Sequence, residues 1–482
     1  MVYRGKPSLG CELCRKRRLN CDRREPSCSQ CLRVNQACSG YRDPNTLRIL
    51  DQSKEVAVKA QARRTASKSP PADRTTAPRT APPISPDELA MSYIFTHLVG
   101  TTQSQGVMSY LLDLLHVDPS PALQATIKAV GLASLSRLPE SRRAAGKEYT
   151  IALRATNDAL RDPVSAKSDS TLGAVLLLST YEMITCNPAD KMGTWKHHVQ
   201  GATKLLELRG LEQLNSRAGL ELFTTVRFQN AISSIFYRSS DHNTPKMAAL
   251  SKVARSKRSE HFQPIENFYD LLLRLSEFSL RVDGAHLQPD PVQNLQQLID
   301  EGLLLDADLE SWKTSLSPFW WYTIVEDSHP GSELGPNFPQ PGGKHHVYYN
   351  VNLASMWNHY RQARIVLNEM IRTMSLHLWE LQPSSECRQT VYQSLAVMKQ
   401  MAEDICATLP YHFTSGEAGF GALVRIMWPL FIAGYCKGAD AATRGYIMHA
   451  LDFIGNTAGM QQADHMAQML REEVTMTMIP GS

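Results

Sequence analysis

Along most of this chain apolar positions recur at intervals of three and four residues. Behind Asp87, the residues Leu89, Met91, Ile94, Phe95 and Leu98 fall on one stripe of a helix. The same spacing predicts helices over Val107–Val117, Pro121–Leu138, Arg142–Arg161, Thr171–Thr185, Trp195–Leu208, Leu220–Arg238, Ile265–Val282 and Val292–Ser311. After a long break at Ser315–Gly343 it resumes over Val347–Met374, Arg388–Leu409, Gly421–Cys436, Thr443–Phe453 and His465–Thr477. Strict alternation of apolar and polar residues, the mark of a half-buried strand, is scarce. The expected fold class is all-α, with residues 87–482 forming one large multi-helix domain.

Upstream of Asp87 the pattern changes twice. Residues 47–64 can form a helix carrying Leu47, Leu50, Val56 and Val58, but these hold no heptad register, so no coiled coil is predicted. From about Thr65 the chain becomes rich in Ser, Thr, Pro and Ala, with Pro70, Pro71, Pro78, Pro82, Pro83 and Pro86. Residues 51–86 therefore read as a linker, basic and then Pro/Ser/Thr-rich, that cannot pack a core and is expected to be disordered. Ser69-Pro70 and Ser85-Pro86 have the form of proline-directed phosphorylation sites and are read here as spacer.

The first 50 residues carry almost no apolar periodicity and most of the candidate chemistry. Cysteines stand at 11, 14, 21, 28, 31 and 38, so a C-x2-C-x6-C unit occurs twice, head to tail. Thiols three residues apart at the start of a helical turn point the same way, as a shared metal requires. Zinc takes four ligands, so six thiolates serve two ions only if two of them bridge. Disulfides are disfavoured because no secretory signal precedes the segment and the other four cysteines are scattered. A segment this short also cannot bury enough apolar surface to fold alone, and a metal core supplies what is missing.

Charge separates the two halves of the repeat. Arg15-Lys16-Arg17-Arg18 follows the first cysteine pair, and Leu32-Arg33-Val34-Asn35 follows the second. Two zinc ions against six thiolates leave a formal charge of minus two, which part of the basic run offsets. Four consecutive cations on a short helix exceed that need and suit phosphates and guanine edges in a major groove. The imbalance extends further. Residues 1–80 hold 18 Lys+Arg against 7 Asp+Glu, a net +11, and the remainder holds 33 against 40, a net −7. A basic head on a mildly acidic body is expected where only the head meets nucleic acid.

These residues resemble the DNA-binding domain of the fungal zinc binuclear cluster transcription factors, the six-cysteine, two-zinc family. The resemblance implies that Cys11, Cys14, Cys21, Cys28, Cys31 and Cys38 ligate two zinc ions, with Cys11 and Cys28 bridging. It implies that the first helix enters the major groove and reads a CGG-type triplet. Arg17 and Arg18 would then lie at base edges, and Arg15 and Lys16 nearer the phosphates. Pro26 stands where the family often has a loop proline. Asn20 departs from the lysine that commonly precedes the third cysteine, which removes one expected contact.

The body resembles the C-terminal fungal-specific helical regulatory domain through Tyr149-x2-Ala152-Leu153, Asp162-Pro163, Leu172-x2-Val175-Leu176-Leu177-Leu178, Trp195-x2-His198-x2-Gly201-Ala202 and Leu206-Glu207-Leu208-Arg209-Gly210. Such proteins often regulate secondary-metabolite gene clusters, an association that the resemblance alone implies.

Other candidates carry less. His198, and the pairs His197-His198 and His345-His346, have no assignable acidic partner and no His-Glu-x2-His context. Cys186, Cys387, Cys406 and Cys436 read as buried small residues. Residues 416–421 (GEAGFG) lack the strand and the Lys-Ser/Thr of a phosphate loop. Lys252, Arg255, Lys257 and Arg258 read as an exposed loop or an import signal. The longest apolar run, Leu172 to Leu178, is too short to span a membrane.

The expectation is a nuclear regulator of RNA polymerase II transcription that binds double-stranded DNA and is not an enzyme. Residues 1–50 would be the reader, and residues 87–482 would carry regulation through a homodimer, coregulator proteins or a small effector. The alternatives are an enzyme or a metal-dependent interaction protein whose activity resides in the helical body.

Overall fold

The computed structural model describes residues 9–41, 85–99, 108–135, 139–185, 193–238, 244–326, 343–414 and 420–472. It divides into two compact units, Met1–Pro82 and Pro83–Ser482. The expected helix at 47–64, most of the linker, Ser69, Cys186 and residues 416–419 lie outside the described residues.

Within the first unit two five-residue helices, α1 (Glu12–Lys16) and α2 (Ser29–Arg33), flank the cysteines. Among its described residues the second unit is helical, apart from one hairpin and short connecting turns. Its helices are α3 (Pro86–Ile94), α4 (Leu111–Val117), α5 (Pro121–Ser134), α6 (Pro139–Arg161), α7 (Asp169–Thr185), α8 (Gly193–Arg209) and α9 (Arg217–Tyr237). There follow α10 (Pro245–Lys257), α11 (Gln263–Val282) and α12 (Pro291–Thr314), then strands β1 (Thr323–Glu326) and β2 (Lys344–Val347). The chain continues with α13 (Val351–Leu381), α14 (Ser385–Thr414), α15 (Phe420–Tyr435), α16 (Ala441–Ala458) and α17 (Gln461–Arg471). The long pair α13 and α14 packs along its length, α12 packs on α13, and α5 packs on α6 and α7. Trp357, Tyr360, Phe268, Phe278 and Phe431 are buried within one continuous core.

Helix starts follow local chemistry. Ser85 caps α3: its hydroxyl accepts from the Glu88 N–H at 3.1 Å and the Glu88 carboxylate accepts from the Ser85 N–H at 3.0 Å. The serine read from sequence as spacer therefore caps the first described helix of the folded body. Gly131 on α5 lets α3 approach closely, since a Cβ there would stand 2.6 Å from the Ala90 carbonyl oxygen.

Three expectations are corrected. The segment around Lys252 and Arg255 is a helix, α10, capped by Thr244 and buried through Met247, Leu250 and Ala254. Three of the four cations are engaged, Arg255 with Asp270, Lys257 with Asn215, and the C-cap Arg258 with Glu221. The break at Ser315–Gly343 and the residues just after it hold an antiparallel hairpin pairing Thr323 with Val347, Ile324 with His346, Val325 with His345 and Glu326 with Lys344. β-branched residues and an opposed Glu–Lys pair favour strand there, and α13 begins at Val351 under an Asn350 cap. α14 also runs past Pro410 to Thr414, because Leu409 and His412 on either side of the proline are buried.

Burial fixes the protonation of three histidines. His346 is pushed down to about 3 by burial and then by the Arg361 charge. His359 is pushed down to about 4 by burial and then by Arg425, and His412 to about 4 by burial. Each stays neutral in the fold and titrates near pH 6.5 once unfolded. Between these values the unfolded chain binds more protons, so stability is full above pH 6.5 and falls as pH drops through 6.5 towards 4. Thermal midpoints measured from pH 7.5 to 5 are expected to decline, and His412→Asn should flatten that decline. A midpoint independent of pH over this range would refute the account.

Candidate metal centre and nucleic-acid interface

Each half of the cysteine repeat builds the same local structure. Cys11 caps α1 with extended backbone and accepts from the Cys14 N–H at 3.5 Å, and Cys28 occupies the same cap position on α2. One turn into each helix stand Cys14 and Cys31, both buried. Two residues past the end of each helix the backbone turns left-handed, at Arg18 (φ 56°) and Asn35 (φ 53°). In both halves the next N–H reaches back to the second cysteine's carbonyl, from Leu19 to Cys14 at 2.9 Å and from Gln36 to Cys31 at 3.1 Å. Every equivalent pair is 17 residues apart, so the sequence repeat is a backbone repeat.

The sulfurs converge on two overlapping sets. Cys11, Cys14, Cys21 and Cys28 lie mutually within 4.8 Å, and so do Cys11, Cys28, Cys31 and Cys38. Cys11 and Cys28 belong to both. Measured separations are 3.7 Å for Cys11 to Cys28, 3.6 Å for Cys11 to Cys31 and 3.7 Å for Cys14 to Cys28. A tetrahedral site with Zn–S bonds of about 2.3 Å sets its sulfurs about 3.8 Å apart. The donor set therefore fits two zinc ions that share two thiolates.

Electrostatics around the sulfurs point the same way. Burial, with the neighbouring Cys11, Cys28 and Cys21 sulfurs, pushes the Cys14 thiol well above its usual range. Backbone N–H groups of Cys28 and Gly40 draw Cys38 down to about 7. Thiols this crowded resist ionising together unless cations offset them, so metal uptake here is coupled to proton release. Outside the sulfurs, Asp22 accepts from both the backbone N–H and the hydroxyl of Ser29, at 3.0 and 2.5 Å, which ties the inter-half segment to the start of α2. Tyr41 packs on the cluster and donates its hydroxyl to the Arg24 carbonyl. Sequence reasoning singled out none of Asp22, Ser29 and Tyr41. For the left-handed site Asn35 was a signal, since asparagine tolerates that conformation better than most residues.

The basic run is not one helical face. Arg15 and Lys16 end α1, Arg17 is its C-cap, and Arg18 lies beyond it in the left-handed region. The expectation of four cations on one helix is corrected: α1 breaks after Lys16 because the chain must turn back towards Cys21. Lys16 pairs with Glu12 at 3.0 Å, both exposed, and Arg15 is half-buried. Arg17 and Arg18 are exposed, as is Asn20. In the body, Cys387, Cys406 and Cys436 are buried, and His346 accepts from Arg361 at 3.1 Å. Among the described residues no helix is long and apolar enough to cross a membrane.

Comparison with known proteins supplies the remaining findings. Residues 91–472 match the family described as the fungal specific transcription factor domain, and residues 9–48 match the fungal Zn(2)-Cys(6) binuclear cluster domain. White-opaque regulator 2 of Candida albicans is 41% identical over 46 residues, which span 10% of this chain and 10% of that protein. No solved structure matches the chain.

Proposed function

Because this chain belongs to the fungal specific transcription factor domain family and carries a Zn(2)-Cys(6) cluster domain, we propose that it reads a CGG-type triplet in double-stranded DNA. It is a zinc-cluster transcription factor, a DNA-binding regulator whose cluster domain holds two zinc ions. Both matched domains are those of transcription factors, which points away from an enzyme. The finer reading assigns one zinc to Cys11, Cys14, Cys21 and Cys28 and the other to Cys11, Cys28, Cys31 and Cys38. The observation that carries it is the pair of overlapping sulfur sets.

Residues 1–50 act as the reader, residues 51–86 as the linker, and residues 87–482 as the regulatory body. Zinc fixes the two short helices, Arg15 and Lys16 position the reader on phosphates, and Arg17 and Arg18 meet base edges. The target is RNA polymerase II transcription in the nucleus, with control of a secondary-metabolite gene cluster as the narrowest form of the reading. Self-association and coregulator proteins would act through the helical body.

The test uses selection from randomised duplexes. Alanine at position 18 would strain a left-handed residue, so Arg18→Asn is the cleaner change: asparagine is what the second half places there. Arg18→Asn should relax the triplet preference, by roughly 1–3 kcal/mol at one base pair. Lys16→Ala should weaken all duplexes alike and lower the salt slope by about one. An unchanged preference with Asn at position 18 would sink the assignment of Arg18.

A further inference from the structure

The helical body encloses a cavity of about 490 Å³, within the range of small-molecule sites. Its wall is aromatic. Phe228 and Phe236 on α9, Trp195 on α8, Trp428 on α15 and Phe262 before α11 all face it. The Phe236 and Trp428 rings meet edge to face at 5.1 Å. No DNA-reading residue contributes, and the cavity lies wholly within the second unit.

Several polar atoms in this wall have no partner. The indole nitrogens of Trp195 and Trp428, the Gln229 side-chain oxygen and His359 Nδ1 are buried without a hydrogen bond. Buried polar atoms are usually satisfied, and leaving one unpaired costs about 1–3 kcal/mol. The four residues that carry these atoms belong to one cavity wall. Both indole groups are donors only.

The charges lining the cavity are also uneven. Arg217, Arg258 and Arg425 line it together with Glu221 and Glu266. Both glutamates are paired, Glu221 with Arg258 of the same wall at 3.1 Å and Glu266 with Arg227 outside it at 2.5 Å. Arg425 donates to Asn352 Oδ1 at 2.5 Å and to Ser355 Oγ at 3.4 Å. Arg425 and Trp428 are three residues apart on α15, so a guanidinium and an indole N–H share one helix face. A guanidinium presents a planar fork of donors suited to a planar anion.

We propose that this cavity binds a small, largely apolar aromatic organic anion, with its acidic group at Arg425 and its ring system among Phe228, Phe236 and Trp428. Its site is built from α8, α9, α13 and α15, so an occupant would tie four helices of the body together. The inference does not depend on how the cluster reads DNA.

The experiment titrates zinc-loaded full-length chain with 8-anilinonaphthalene-1-sulfonate, an anion, and with N-phenyl-1-naphthylamine, which has the same ring system without the charge. The sulfonate should bind one per chain and tighter than the amine. Arg425→Gln should weaken the sulfonate at least tenfold and leave the amine within twofold. Ile232→Trp, which fills the cavity, should abolish both while the chain still melts cooperatively. If that variant fails to fold, Val424→Phe serves the same purpose. Energy transfer from the protein's tryptophans, reduced in Trp428→Phe, locates the probe without filling anything. The proposal is overturned if several probes bind per chain, if Arg425→Gln affects the two probes alike, or if a folded cavity-filling variant still binds. It is also overturned if neither probe binds.

Discussion

Replacing Cys11 or Cys28 with serine is expected to release both zinc ions and abolish DNA binding, whereas replacing Cys14 or Cys38 is expected to release one. The difference follows from the overlap of the two sulfur sets. Cys14 belongs to one set and Cys38 to the other, while Cys11 and Cys28 belong to both. A hydroxyl is a poor substitute for a bridging thiolate, because it does not carry the negative charge that two cations share. Structural zinc contributes about 10–16 kcal/mol of apparent binding free energy in zinc-finger peptides, and that binding is the folding free energy of such a unit. Among the described residues, Leu13, Cys21, Cys38 and Tyr41 pack against the four buried cysteines, too few to fold without metal. Native mass spectrometry of each variant gives the zinc count, and duplex titration gives the functional loss. A Cys11→Ser chain that keeps one zinc would show that the thiolate is not shared.

The cluster was legible because its information is local. A spacing of 17 residues repeats through four positions, and covalent geometry turns that repeat into two superposable turns. The spacing could not show that α1 stops at Lys16. That boundary is set by the need to bring Cys21 back to Cys11 and Cys28, a contact between residues distant in sequence. In the body, helices with clear stripes were legible to within a few residues, as with α11 (Gln263–Val282) and α7 (Asp169–Thr185). Helix α10 was not legible from its cations, because Lys252, Arg255, Lys257 and Arg258 together have the composition of an exposed loop. Thr244-Pro245 followed by Met247, Leu250 and Ala254 was a sufficient start signal and stripe. The hairpin was missed because each strand has only four residues and β2 carries two histidines, a composition that suggests neither strand nor core. The cavity was beyond reach for another reason: its wall is drawn from Leu98 to Met466, and no local pattern encodes it.

Arg361→Leu is expected to destabilise the helical body by roughly 3–5 kcal/mol, the cost of breaking a buried charged network from one side. Arg361 on α13 is 1% exposed and serves four acceptors. Its Nη1 donates to the Tyr348 hydroxyl at 2.8 Å, Asn358 Oδ1 at 3.0 Å and Thr408 Oγ1 at 2.7 Å, and its Nη2 donates to His346 Nδ1 at 3.1 Å. Asp404 lies 3.9 Å from Nε, and the Tyr322 and Trp357 rings lie 5.0 and 5.7 Å from the guanidinium carbon. These partners come from the hairpin, α13 and α14, so one cation fastens three elements. Leucine matches much of the volume but leaves Asp404, His346 and two hydroxyls without their donor. Lysine restores the charge at a single point and cannot serve the same spread of acceptors, so Arg361→Lys should recover only part of the loss. Domains hold about 5–15 kcal/mol in total, so the leucine variant should unfold at markedly lower urea or temperature. Denaturation followed by tryptophan emission reads this directly, since Trp357 and Trp320 lie beside the site and Trp357 Nε1 donates to the Trp320 carbonyl at 2.8 Å. A leucine variant within about 0.5 kcal/mol of the parent would place Arg361 among ordinary surface residues and refute the fastening role.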